Sequence, residues 1–173
     1  MTVAEEPGLA GLNEMTRSEA ERVLTRCCSS PRWAESVAAG RPYPSRQAMY
    51  AAAESALADL DDVDVEQALA GHPRIGERAP GAEGAWSRQE QRGVDSASEA
   101  TLTAIAEGNR AYEERFGHVY LVCASGKHAD ELLALLRTRL QNDPATERRA
   151  VRHELAKINR IRLGRLMDQE EAT

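Results

Sequence analysis

Signals that begin and end helices recur at short intervals along the chain, and they constrain its fold more than any other feature. Thr16 is followed three residues later by Glu19, a spacing at which the two side chains satisfy free N–H groups at a helix start. Ser30 stands before Pro31, which suits a cap followed by a first-turn proline. Such signals predict about eight helices. The first four run from after Thr16 to Cys28, from after Ser30 to Gly40, from after Ser45 to about Leu60 and from Val65 to Ala70. The others begin at Ser87, extend from Leu102 to Gly117, and run from Lys127 to Gln141 and from Pro144 to about Gln169.

One stretch favours an extended backbone instead. Residues 119–123 are rich in β-branched and aromatic side chains, and Gly117 and Gly126 bracket them. One short run cannot form a sheet, so the prediction is an all-α fold with a single short extended segment. A length of 173 residues suits one compact multi-helix domain over residues 1–173, with residues 1–9 and 169–173 expected to be flexible tails.

Charge and composition narrow the possible partners and the compartment. The chain has 22 basic and 28 acidic residues, a net charge of -6, and no run of like charges that would bind nucleic acid. Its three cysteines have no metal or redox spacing, which fits a reducing compartment. No basic and apolar leader is visible, and no stretch approaches the roughly 20 apolar residues of a membrane helix. We therefore expect a cytoplasmic protein with no membrane or nucleic-acid partner.

His72 is the first candidate for chemistry. Gly71 ends a predicted helix and Pro73 keeps His72 out of the helical region, so the imidazole is expected at a rigid junction between helix and loop. Histidine is the usual general acid or base near neutral pH. A histidine that only caps the helix end is an equally good interpretation of the pattern.

Ser87 and Glu90 form a second candidate, within the run Ser87-Arg88-Gln89-Glu90-Gln91. Their spacing is that of a capping box, in which the two side chains only close the start of a helix. The same helix start would also bind an anion, with Ser87, Glu90 and Gln91 directed into the site. The sequence leaves both interpretations open.

Arg162 is the third candidate. Val151, Leu155, Ile158 and Leu166 share one stripe of the last predicted helix, and Arg162 lies in the middle of it. A guanidinium facing the core is costly unless it meets a carboxylate, from the protein or from a ligand. An arginine that extends to solvent or forms an internal salt bridge fits equally well, and Arg165 is a competing candidate.

Only four histidines are present and none has metal-site spacing, so no metal is expected.

Segments along most of the chain resemble one enzyme family, the decarboxylases of 2-oxo-4-hydroxy-4-carboxy-5-ureidoimidazoline (OHCU). The similar segments are Cys27–Trp33 with Arg41–Tyr43, Gly71–Gly76, Ser87–Gln91, Asn109–Tyr112, Arg115–Cys123 and Glu154–Leu163. Two positions depart from the family pattern. Arg74 stands where an aspartate is common, and His118-Val119 replaces a common Phe-Pro.

The resemblance implies an all-helical homodimer that converts OHCU to (S)-allantoin, the third step of urate oxidation to allantoin, without metal or organic cofactor. It implies that His72 and Glu90 are the catalytic pair. It also implies that Pro73, Ser87 and Gln91 line the pocket and that Arg162 binds the substrate. The alternatives are a carboxy-lyase or hydrolase for another ureido or purine-derived ring, and a helical interaction module without catalysis.

Overall fold

The structure is a computed structural model that describes residues 7–77 and 84–171. Within them lie nine α-helices, one turn of 3-10 helix (Arg92–Val94) and no strand, which confirms the all-α prediction. The helices are α1 (Pro7–Glu14), α2 (Arg17–Cys27), α3 (Pro31–Ala39), α4 (Arg46–Ala58), α5 (Asp62–Ala70), α6 (Ala85–Glu90), α7 (Glu99–Phe116), α8 (Ala129–Arg139) and α9 (Pro144–Glu171).

Side-chain caps set several of these helix starts, as the sequence predicts. At α2, Thr16 Oγ1 accepts from Glu19 N–H at 3.3 Å, and Glu19 Oε2 accepts from Thr16 N–H at 2.9 Å. Ser30 and Ser45 cap α3 and α4 by accepting from the backbone N–H three residues later, at 3.3 and 3.1 Å. These bonds satisfy donors that the first helical turn leaves free.

Several predicted boundaries differ from those of the structure. Residues 7–9, expected in a tail, open α1, and Leu9 is buried with 1% of its surface exposed. Helix α5 begins at Asp62, before the predicted Val65, because the Asp61 carboxylate accepts from Asp64 N–H at 2.9 Å and closes the first turn earlier. Helix α9 continues past Gln169 to Glu171. Residues 1–6 and 172–173 of the expected tails, and residues 78–83 of the predicted loop, lie outside the described residues.

The chain divides into two structural units, residues 1–68 with 156–173 and residues 69–155. In the first unit α3 packs against both α2 and α4. Trp33 is fully buried there, and its indole N–H donates to Ala53 O at 3.1 Å. Helix α1 approaches α9 closely at Gly8, since a Cβ there would stand 2.0 Å from Met167 O. Only glycine fits this contact.

In the second unit α7 packs against α8. The buried apolar side chains shared by these helices and their neighbours include Ile75, Val94, Ile105, Tyr112, Tyr120, Val122, Leu132 and Leu136. Leu102, predicted on the apolar face of α7, lies at its edge with 36% of its surface exposed. Among the described helices of both units, none combines the length and apolar character needed to cross a bilayer.

The segment 119–124 belongs to the second unit and has no regular secondary structure, although residues 120–124 are buried. Side chains donate hydrogen bonds to its backbone carbonyls, as a neighbouring strand would do in a sheet. The Arg139 guanidinium donates to Leu121 O, and Lys127 Nζ donates to Cys123 O at 2.9 Å. These bonds satisfy carbonyls that would otherwise be buried without a partner.

Arg139 is itself paired inside the second unit. Its Nε donates to Glu147 Oε1 at 2.8 Å, and its Nη2 donates to the same oxygen. Tyr112 Oη also donates to that oxygen, and Asn142 Nδ2 donates to Glu147 Oε2 at 3.0 Å. A buried ion pair with this many hydrogen bonds fixes the ends of α8 and α9 against α7.

Candidate active site

The loop that carries His72 begins where the sequence predicts. Helix α5 ends at Ala70, and His72 N–H donates to Leu69 O at 3.0 Å in the turn that follows. His72 and Pro73 are both half-buried, while Ile75 extends into the apolar core of the second unit. The imidazole therefore sits on a loop that is anchored a few residues further along.

Two amide side chains hold this loop from outside it. Gln91 Oε1 accepts from Gly76 N–H at 2.9 Å, and Gln91 Nε2 donates to Arg74 O at 3.3 Å. Asn109 Nδ2, buried on α7, donates to Ile75 O at 3.0 Å. Gly76 has a φ of 92°, a left-handed conformation that glycine adopts without strain. We call Gln91 and Asn109 the loop clamp, because they bond three consecutive loop residues.

The structure corrects the predicted capping box at Ser87. Helix α6 begins two residues earlier, at Ala85, and its cap residue is Gly84, which has no side chain to bond the first turn. Ser87 is thus the third residue of the helix and Glu90 is its last. Both are buried, at 6% and 8% exposed, and neither lacks a partner. Ser87 is therefore not the cap of this helix, and the two side chains are buried polar groups on one face of α6. Their predicted role at a ligand site stays a prediction.

A groove in the second unit opens beside the loop clamp. It measures about 160 Å³ and is lined by Gly76, Glu77, Arg88, Gln91, Val94, Asp95 and Leu102. Of the six residues predicted from the sequence, only Gln91 lines it. The groove has charges of both signs around a small apolar floor, which suits a small polar ligand better than an apolar one.

The two departures from the family pattern have local structural roles. Arg74 pairs with Glu113 on α7, with Nη2 to Oε1 at 3.0 Å and Nε to both carboxylate oxygens at 3.1 Å. The hydrogen bond and charge of Glu113 raise the pKa of Arg74. The His118 ring packs edge-on against Tyr112, 5.5 Å between ring centroids. Arg74 thus adds a further tether between the loop and α7.

Arg162 lies in the first unit, on α9, with 5% of its surface exposed. Its predicted stripe is confirmed, because Val151, Leu155, Ile158 and Leu166 are all buried. The competing Arg165 is only half-buried. Burial raises the pKa of both Cys27 and Cys28, and the nearby positive charge of Arg162 acts in the opposite direction. Arg162 is therefore a buried cation beside two thiols.

The predicted residues thus fall in two groups. His72, Pro73, Ser87, Glu90 and Gln91 belong to the second unit, and Arg162 belongs to the first. Sequence reasoning missed the role of Asn109, although an amide in the apolar stripe of α7 could have indicated a buried partner. It also missed Glu147, which continues the buried stripe of α9 toward its N-terminus and carries the same kind of signal as Arg162.

Comparison with known proteins identifies the family. The family model described as OHCU decarboxylase matches residues 13–164. The chain belongs to the OHCU decarboxylase family. All six predicted site residues fall within the matched range, as does the whole loop clamp.

Individual members of the OHCU decarboxylase family are similar over most of the chain. A 2-oxo-4-hydroxy-4-carboxy-5-ureidoimidazoline decarboxylase of Amia calva is 32% identical over 82% of this chain and 81% of its own. One from Haloferax volcanii is 27% identical over 82% of this chain and 84% of its own. A crystal structure of an OHCU decarboxylase in the presence of (S)-allantoin superposes with a TM-score of 0.74 at 27% identity, covering 83% of this chain and 96% of that one.

Other relatives are longer than this chain. The uric acid degradation bifunctional protein TTL of Arabidopsis thaliana is 28% identical over 83% of this chain, which spans 46% of its length. A uric acid degradation bifunctional protein of Bacillus sp. is 26% identical, and the chain spans 33% of its length. The chain therefore corresponds to about half or less of these two proteins.

Proposed function

We propose that this chain is a carboxy-lyase that converts OHCU to (S)-allantoin without a cofactor, the third step of urate oxidation to allantoin. The observation that carries the proposal is the match to the OHCU decarboxylase family over residues 13–164. Similarity to a solved OHCU decarboxylase crystallised with (S)-allantoin adds support, since it extends over 83% of the chain.

The chemistry of the substrate explains why side chains alone suffice. The carboxylate of OHCU sits on a carbon next to a C=N bond. When carbon dioxide leaves, the electron pair of the broken C–C bond flows into the substrate's own ring and ureido system. The protein then has to bind the substrate, keep one face of the new centre accessible and deliver a proton there.

His72 and Glu90 are the proposed catalytic pair. His72 would transfer the proton, either from the substrate hydroxyl or to the new stereocentre, and Glu90 would orient the imidazole. His72 is half-buried, and the loop clamp holds its loop three residues further on, at Ile75. This supports the role, because a proton-transfer group must be held in one place. The burial of Glu90 supports its role as an orienting carboxylate.

Substrate binding is assigned to four further residues. The buried cation of Arg162 suits the carboxylate or a carbonyl of OHCU. Ser87 and Gln91 would face the ureido and ring amide groups, and Pro73 would line the pocket. The bonds of Gln91 to Arg74 O and Gly76 N–H add a second task to its role, which is to hold the loop of His72 in place.

The direct test generates OHCU in situ and follows the circular dichroism of allantoin with and without the protein. Uncatalysed decay yields a racemate, so the proposal expects a faster reaction and a product of one hand. A racemic product formed at the uncatalysed rate would end the proposal. A product of a different mass would point to another ureido or purine-derived ring.

The role of His72 is tested by His72→Ala, with His128→Ala as the matched control. His128 is exposed and its side chain makes no cap hydrogen bond to α8. Loss of a positioned acid or base costs about 10²–10⁴-fold in rate. We expect a fall of that size in kcat for His72→Ala, an unchanged melting temperature and normal kinetics for the control. Near-normal turnover of His72→Ala would remove the histidine from the mechanism.

We also propose a cytoplasmic homodimer. The resemblance to the family supports the dimer, and the three cysteines, all reduced and buried, support a reducing compartment. Light scattering coupled to size exclusion measures the assembly directly. A mass of one chain at micromolar concentration would contradict the dimer.

A further inference from the structure

Asn159 on α9 is a buried amide that the described part of the chain satisfies poorly. Only 3% of its surface is exposed, and neither its Nδ2 nor its Oδ1 makes a hydrogen bond of normal geometry in the described part of the chain. A buried amide left in this state destabilises a fold, and native proteins satisfy most such groups. A residue that keeps this cost at the centre of a helix calls for an explanation.

The surroundings of Asn159 lie within the first unit and include Arg162. The two residues are three apart on α9, so their side chains are neighbours on one face of the helix. Both also act on the Cys28 thiol. Burial raises the pKa of Cys28, while its hydrogen bonds with Ser30 and Asn159 and the charge of Arg162 lower it. A thiol is a weak hydrogen-bonding group, so it does not satisfy an amide.

The other side of Asn159 faces a narrow cavity between α4 and α9. The cavity measures about 10 Å³, and its walls include Ala53, Leu57 and Leu163 as well as Tyr50, Glu54 and Arg160. This is barely the space of one water molecule, and a buried water needs two or more polar partners. The largely apolar walls make this cavity a poor place for the amide to find them.

We propose that Asn159 is a substrate-binding residue, whose amide pairs with an N–H and C=O of the ureido or ring amide group while Arg162 holds the anionic part. A primary amide presents a donor and an acceptor side by side, the arrangement that an amide or urea of the ligand complements. The inference rests on the proposed function, because it takes Arg162 as a substrate ligand. The inference adds a residue that would bind the nitrogen-rich part of the substrate.

The test is Asn159→Leu, which keeps the volume and removes both polar atoms. Relief of the unsatisfied amide should raise the melting temperature by roughly 2–12 °C. Loss of the ligand contact should lower kcat/KM about 10–100-fold, mainly through KM. A variant that is both more stable and weaker in substrate binding is the expected result, and a purely structural residue would not move KM.

Asn109→Leu is the matched comparison for stability. It makes the same change at another buried amide, one that donates to Ile75 O at 3.0 Å, so its melting temperature should fall. If Asn159→Leu gains stability with KM unchanged, the amide has no ligand and the inference is wrong. A loss of stability in Asn159→Leu would also overturn it, since a bound water must then satisfy the amide.

The same assay separates this inference from the proposed function. A wild-type chain that does not accelerate OHCU decay overturns both. A wild-type chain that is active, beside an Asn159→Leu variant with equal KM, overturns this inference alone. Binding of (S)-allantoin, measured as a ligand-induced rise in melting temperature, should be seen for the wild type and lost in Asn159→Leu.

Discussion

Glu147→Gln should be among the most destabilising conservative changes in the second unit. The carboxylate accepts four hydrogen bonds, two from Arg139 and one each from Tyr112 and Asn142. Glu147 is fully buried and Arg139 is 6% exposed. An amide in place of the carboxylate removes the negative charge and sets N–H donors against those of the neighbours. The Arg139 cation is then buried without a counter-ion.

The burial of the Glu147–Arg139 pair sets the expected loss of stability in Glu147→Gln. Removing one partner of a buried, hydrogen-bonded ion pair costs about 3–5 kcal/mol, since the remaining charge has lost its compensation. For a chain of this length, each kcal/mol shifts the melting temperature by roughly 2–4 °C. We therefore expect a loss of about 6–20 °C. A domain near the middle of the typical range of about 5–15 kcal/mol stays folded at room temperature after such a loss.

Glu113→Gln provides the matched control by differential scanning fluorimetry. It makes the same substitution in the same unit, at an ion pair with Arg74 whose two side chains are 26% and 49% exposed. Exposed pairs contribute about 0–1 kcal/mol, so the control should lose at most about 4 °C. Equal shifts in the two variants would show that the buried network adds nothing beyond a surface pair, and the reasoning would fail.

Two further outcomes are expected. Gln91→Glu keeps the acceptor for Gly76 N–H but loses the donor to Arg74 O, so turnover should fall roughly 10–100-fold as the loop loosens. The control Gln89→Glu changes an exposed residue of α6 and should leave turnover unchanged. Equal turnover rates in the two variants would refute the role of the loop clamp. Burial raises the pKa of Cys27 to about 12, so the unfolded chain releases this proton first as pH rises. Urea midpoints should therefore hold up to about pH 9 and fall between pH 9 and 12, and a midpoint that does not fall above pH 9 would contradict this.

Most of the fold follows from signals that act over three or four residues. The caps at Thr16, Ser30 and Ser45 depend only on a hydroxyl and the backbone of the next turn, so the sequence shows them directly. Helix α1 carries no such signal, and it is held by the close approach of Gly8 to Met167 O. A contact between residues far apart in the chain leaves no periodic trace in either segment.

For the candidate site, the sequence indicated which polar side chains are buried and less of how they are arranged. A charge inside an apolar stripe marks Arg162 from sequence alone, because burying a guanidinium has a known cost. The spacing of Ser87 and Glu90 wrongly indicated a helix cap. A hydroxyl three residues before a carboxylate occurs inside helices as well as at their starts. The bond from Gln91 to Gly76 joins residues fifteen apart in the chain, and no local pattern encodes it.

Buried polar groups in this chain differ in how fully the fold satisfies their hydrogen bonds. Glu147 accepts four hydrogen bonds, so the fold itself accounts for its burial. Asn109 uses its donor on Ile75 O, while its Oδ1 has no partner in the described part of the chain. Asn159 uses neither atom in a hydrogen bond of normal geometry with the described residues. Because this amide is poorly satisfied there, we expect a bound substrate to contribute more at Asn159 than at Glu147.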